Sequence, residues 1–192
     1  MRKNLLVLAL PLLLIACNNE TKDSVEKADS TNEAKEERAD STGKPIIHTD
    51  PESTDFLVKA ADGGMAEVNL GELAQQKASH DMVKSFGTMM VNDHTASNNQ
   101  VKTLATQRNV TLPVTPGEAN QKLMEDLMKK TGADFDRSYM RAMIDDHEAD
   151  IREFEKASAT VNDIEVKNFI DNTLPILRRH LDSAKAIRKV LK

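Results

Sequence analysis

Tryptophan is absent from the 192-residue chain, Tyr139 is its only tyrosine, and aromatics amount to 3%. A sandwich or barrel would want aromatic and β-branched residues in short alternating runs. The 39% hydrophobic content comes instead mostly from Leu, Ala, Val, Ile and Met, which suit packed helices. Positive charge is also short: the formal charge is −5, and no basic stripe interrupts it. A nucleic-acid partner is therefore not expected. With one cysteine, no disulfide can form within the chain. No Ser or Cys nucleophile motif and no phosphate loop appears, so a catalytic role ranks third, as hydrolysis or proton transfer by Glu67 and His94.

No apolar run reaches the roughly 20 residues of a membrane span. The longest, Leu5 to Ile15, follows the positive Met1-Arg2-Lys3-Asn4 and ends in Leu14-Ile15-Ala16-Cys17. That pattern resembles a bacterial lipoprotein signal. Residues 1–16 are expected to be removed and Cys17 acylated, with several acyl chains giving stable anchoring to the membrane. Asn18 in place of the Asp of enteric inner-membrane retention favours the outer membrane, facing the periplasm. Residues 17–52 then read as the acylated cysteine and a disordered tether. They are rich in Glu, Lys, Ser and Thr and too poor in apolar residues to offset their ordering entropy. His48 reads as solvated.

Residues 53–192 read as a helical bundle. Ser53-Thr54-Asp55 are capping residues for a helix from Phe56 to about Lys77. Gly63-Gly64 within it implies a close neighbour or a local break. Ser79 caps a second helix, from about His80 to Arg108, with His80 exposed at its start. Pro113 lies in the following loop. Thr115-Pro116-Gly117-Glu118 reads as a capping box opening a short helix, and Gly132 ends it. A third long helix follows to about Ser158. Asn162 with Glu165 caps a fourth, to Leu191, with a kink near Asp171 from Pro175. The short turns make two antiparallel pairs. The long connection from about 109 to 133 has the reach to travel the length of the bundle, so the second and third long helices run parallel. The expected fold is all-α: a ferritin-like four-helix bundle with a long crossover containing a short extra helix.

Glu67, His94, His147 and His180 interrupt the apolar stripes, one per long helix. Buried Glu is rare unless paired or bound to metal. At about 1.5 Å per residue from the turns, the first three lie within about one helical turn in height. His180 is offset by about 9 Å and is expected a turn or more away, against Met or Tyr139. Two readings stay open. In one, the four form a transition-metal site for Zn, Cu or Fe, with Asp150 and Tyr139 as outer partners. In the other, the same side chains satisfy each other in a polar core. Asp93 and Asp146 stand next to His94 and His147, but adjacent helical residues point apart. Met89, Met90, Met140 and Met143 read as core filler rather than Cu(I) ligands.

Several segments carry a resemblance: Ala60-Ala61-Asp62-Gly63-Gly64-Met65-Ala66-Glu67-Val68, Met90-Val91-Asn92-Asp93-His94, Phe135-Asp136-Arg137-Ser138-Tyr139-Met140, Asp146-His147, and Thr173-Leu174-Pro175-Ile176-Leu177-Arg178-Arg179-His180. Across residues 55 to 191 the chain resembles the family called domain of unknown function four-one-four-two. The resemblance implies a ferritin-like helical bundle in the outer membrane or periplasm, and no established activity. Di-iron bundles place Glu three residues before His. Val91, Ile144 and Leu177 stand there instead, so iron oxidation or storage is not implied. The functions left open are a lipid-anchored, non-catalytic binding or structural module of the envelope, and a metal-binding protein of metal or redox stress.

Overall fold

The computed structural model describes residues 23–42 and 49–191, which form six helices: α1 (Ser24–Thr42), α2 (Pro51–Lys77), α3 (Asp81–Gln107), α4 (Glu118–Met128), α5 (Gly132–Thr160) and α6 (Ile164–Val190). No strand occurs among the described residues. Cys17, the expected signal peptide and His48 lie outside them.

Helix α2 begins at Pro51, earlier than the capping run at 53–55 implies. Asp50 accepts from the Ser53 amide at 3.0 Å and the Ser53 hydroxyl at 2.7 Å, and proline suits the first helical position. Helix α3 is capped by His80 rather than Ser79. His80 Nδ1 accepts from the Met82 amide at 3.2 Å, and the residue is half-buried, not exposed. Ser79 serves the tertiary structure instead. The buried Asp136 of α5 accepts from the amides of Ser79 and His80, each at 3.0 Å, and from the Ser79 hydroxyl. Helix α4 starts at Glu118 with no capping box: Gly117 is the cap residue. Its free amides go to Asp62 of α2, 2.6 Å from Gly117 N, and to Asp23, 3.2 Å from Glu118 N. Gly132 does not end α4; at φ +56° it opens α5. Asp163, one residue after the expected cap, starts α6 by accepting from Glu165 N and Val166 N. Helix α6 continues through Pro175.

Apolar side chains gather in two clusters. One joins the end of α2, the start of α3, the start of α5 and the end of α6 through Leu70, Phe86, Met90, Phe135, Met143 and Ile187. The other joins the opposite ends of the same helices through Phe56, Val101, Phe154, Phe169, Ile170 and Leu177. Helices α3 and α5 therefore run in the same direction, and the 108–131 segment that joins them returns along the bundle with α4 against α2 and α5. Met90, Met140 and Met143 are fully buried in the first cluster and Met89 packs against it, as core filler. At the far end, the buried Arg108 holds the α6 cap: its guanidinium donates to both Asp163 oxygens at 2.6 and 2.5 Å and to Glu165 at 2.8 Å.

Helices α2 and α3 touch backbone to backbone, but not at Gly63-Gly64. A Cβ on Gly63 would meet nothing within 4 Å, and one on Gly64 would meet the movable end of Asn98. The close approach is at Gly71 and Gly87: a Cβ on Gly87 would lie 2.7 Å from the Gly71 carbonyl oxygen and 2.9 Å from Ala74 Cβ.

Residues 24–42, read from sequence as tether, are helical. Helix α1 buries little beyond Ala28 and Asn32, and it holds the crossover by polar contacts. The Asn32 amide donates to Thr111 O at 3.0 Å and accepts from Thr111 N at 2.7 Å. Lys35 donates to Asn109 O, and Ser24 Oγ accepts from Val114 N. A helix held mainly by side chain to loop-backbone bonds has no apolar period to announce it.

Candidate metal centre

Between the two apolar clusters lies one polar layer. Glu67 of α2, His94 of α3, His147 of α5 and His180 of α6 meet there, none more than 6% exposed. Each occupies the core-facing stripe of its helix, so packing the four stripes brings the four side chains together. His94 Nδ1 is 2.7 Å from Glu67 Oε2, and His147 Nε2 is 3.5 Å from Glu67 Oε1. His147 Nε2 and His180 Nδ1 are 3.3 Å apart. His180 Nε2 is 2.8 Å from Asp93 Oδ2, which also accepts from Arg179 at 2.7 Å.

The convergence of Glu67, His94 and His147 follows the sequence expectation. His180 does not lie a turn away; it is a full member of the layer. The helix starts at Ile164, later than the turn implied, which shortens the offset. Side-chain reach closes the rest, because His147 offers its far nitrogen Nε2 and His180 its near nitrogen Nδ1. Asp150 makes no hydrogen bond to His147; it borders a cavity with Glu67 and His94. Tyr139 stands in the apolar cluster, stacked on Phe135 at 5.7 Å and edge-on to Phe86 at 6.2 Å. Its hydroxyl is buried without a partner.

Asp93 and Asp146 are the residues that sequence reasoning passed over. Asp93 reaches away from His94, whereas Asp146 keeps a carboxylate oxygen within 4.8 Å of a His147 nitrogen. Each also reaches another helix. Asp93 of α3 meets His180 of α6, and Asp146 of α5 stands beside Glu67 of α2, within 4.8 Å. A carboxylate just before a seam histidine is the signal that would have found them.

Burial holds the imidazoles neutral. It lowers His94 to about 4, against the pull of Asp150, Asp146 and Asp93. It lowers His147 to about 3, helped by the charges His94 and His180 would carry. His180 is lowered by burial too, with Asp93 opposing. The carboxyls move the other way: Glu67 is raised well above its usual value by burial and by Asp146, and Asp150 by burial, Glu67 and Asp146. Asp93 alone is lowered; burial would raise it, but the bond and charge of His180 and Arg179 outweigh that.

The charge of each partner carboxyl decides which ring nitrogen donates, and Asp93, held ionised, accepts from His180. When Glu67 is ionised, Nδ1 of His94 donates to it and the Nε2 lone pair is free; that atom is buried without a partner. With Nε2 of His180 donating to Asp93, the Nδ1 lone pair is free toward His147. One ring nitrogen from each of His94, His147 and His180 falls within 4.8 Å of the others. Two nitrogens on a tetrahedral ion with bonds of about 2.0–2.1 Å stand about 3.3–3.4 Å apart, which is the spacing of His147 Nε2 and His180 Nδ1 at 3.3 Å. Glu67, Asp146 and His147 make a second such group on the same layer.

The family described as Domain of unknown function (DUF4142) matches residues 26–187, most of the chain and including α1. No curated protein and no solved structure matches.

Proposed function

We propose, from the premise that this chain belongs to the DUF4142 family, that it is a lipid-anchored envelope protein whose bundle core binds a transition-metal ion without catalysis. One observation carries the metal reading: three buried, neutral imidazoles converge, and two of them are backed by carboxylates. Metal-bound histidines regularly donate their other ring N–H to a carboxylate, which fixes the tautomer and raises ligand basicity. Glu67 stands so behind His94, and Asp93 behind His180. A purely structural polar layer has no need of three imidazoles that each bring a ring nitrogen within 4.8 Å of the others. Three nitrogen ligands suit zinc or copper better than a hard cation.

We read the bundle as ferritin-like, on the parallel α3 and α5 and the long crossover between them. It departs from the di-iron pattern in offering histidines where those sites offer Glu-x-x-His. Zinc added to the metal-free chain should raise its melting temperature. At a hundredfold excess over Kd the gain is about 2.7 kcal/mol, or several degrees for a domain of this size. An unchanged melting temperature across zinc, copper(II) and iron(II) would leave the polar-core reading in its place.

The anchor rests on Cys17 directly after Leu14-Ile15-Ala16. Cys17→Ala should release the chain from the membrane fraction or leave its precursor uncut. Normal processing with unchanged membrane association would contradict it.

A further inference from the structure

The polar layer has a carboxylate end that three imidazoles on one ion leave unused. Asp146 of α5 and Glu67 of α2 each bring a carboxylate oxygen within 4.8 Å of the other and of a His147 nitrogen. Glu67 divides its two oxygens. Oε2 lies 2.7 Å from His94 Nδ1, while Oε1 is buried without a hydrogen-bond partner, 3.5 Å from His147 Nε2. A buried polar atom with no partner is costly. Two atoms bonded to one ion at about 2.0–2.2 Å can stand up to about 4.4 Å apart. A single cation can therefore reach both Oε1 and Nε2.

Asp150 follows Asp146 by one helical turn on the same side of α5. With Glu67 it borders a cavity of about 50 Å³, room for one or more waters. Among the described residues, no Lys or Arg forms an ion pair with Glu67, Asp146 or Asp150. Burial is the first cause raising all three carboxyls, and Asp146 adds to the rise of the other two. Carboxylates withdrawn from water without a fixed positive charge favour a cation among them.

We propose that Glu67 Oε1, Asp146 and His147 Nε2 form a second metal seat, for an oxygen-preferring divalent ion of the manganese(II) class, with Asp150 holding a water of that ion. Carboxylate and water donors suit manganese, where imidazoles suit zinc or copper. His147 Nε2 has one lone pair and also faces His180 Nδ1 at 3.3 Å, so one ion at a time can use it. The donor preference of the ion then selects the end of the layer it occupies. This seat goes beyond the metal reading above and shares only His147 with it.

The test titrates the metal-free full chain in detergent with manganese(II), following the electron paramagnetic resonance signal of the free ion. Manganese should bind saturably, and zinc should displace it. Asp146→Asn should weaken manganese at least about tenfold and leave zinc within about twofold; the retained zinc affinity shows that the variant is folded. His180→Leu should do the reverse, losing zinc and keeping manganese. Manganese that does not bind saturably, or binds Asp146→Asn as it binds the wild type, would overturn the carboxylate seat while zinc binding keeps the imidazole one. Zinc and manganese held together would overturn the sharing of His147. Manganese bound by a chain that takes up no zinc would support the carboxylate seat and sink the imidazole reading.

Discussion

Replacing His147 with leucine is expected to abolish zinc binding, lowering the affinity by more than about 100-fold, beyond the 10–100-fold typical of losing an outer partner. His147 is the hinge of the layer. Its Nε2 lies 3.3 Å from His180 Nδ1 and 3.5 Å from Glu67 Oε1, and both candidate ligand groups include it. Leucine nearly fills the space of the ring, so the loss should fall on the metal rather than on the fold. In the metal-free chain the substitution removes a buried Nδ1 that lacks a partner and strands His180 Nδ1. These effects oppose each other, each of the order of about 1–3 kcal/mol. The metal-free variant should therefore melt near the wild type while its zinc-induced shift disappears. Calorimetry checks both. A variant that still binds zinc with wild-type affinity would move the site away from the four-helix layer.

Gly87→Val should have the largest effect on stability, a loss of about 2–3 kcal/mol, which for a domain of this size is about 5–10 °C in melting temperature. The cause is backbone contact. A Cβ on Gly87 would lie 2.7 Å from the Gly71 carbonyl oxygen, and backbone cannot rotate aside as a side-chain end can. Helices α2 and α3 would have to part. They carry Glu67 and His94, so the 2.7 Å contact between those residues should lengthen and zinc affinity fall too. Gly63→Ala is the matched control. Its Cβ meets nothing within 4 Å in the middle of α2, so the change should be neutral or stabilise by up to about 1 kcal/mol. A Gly87→Val chain that melts with the wild type would contradict the close approach of α2 and α3.

The four long helices were legible because their apolar residues recur at helical spacing and their ends carry caps or glycine. The cap residues themselves moved, by one position to His80 and Asp163 and by three to five to Asp50. Helix α1 was legible only as a transient helix around Glu33 to Ala39 within the tether, not as the 19-residue helix from Ser24 to Thr42. It packs against α2 and holds the crossover backbone by polar bonds, and nothing in its own pattern names either partner. The glycines misled for a related reason. Gly63-Gly64 stands out in the sequence, while the contact that needs glycine joins Gly71 to Gly87 across two helices.

In the site, one polar residue per seam was enough to bring Glu67, His94 and His147 together. Counting residues from a turn misjudged His180, because rise along an axis says nothing of which ring nitrogen a histidine presents. Asp93 and Asp146 were discounted by the rule that neighbours on a helix diverge. The rule holds for Asp93, which lands on the next helix and meets His180, but not for Asp146, which stays within 4.8 Å of both His147 and Glu67.

The central claim is that His94, His147 and His180 hold one ion. X-ray absorption at the zinc edge, on the chain loaded with one equivalent of zinc, tests it most directly. Three imidazole nitrogens at about 2.0–2.1 Å with one further light ligand are predicted. Coordination by carboxylate oxygens alone, with no imidazole scattering, would contradict it.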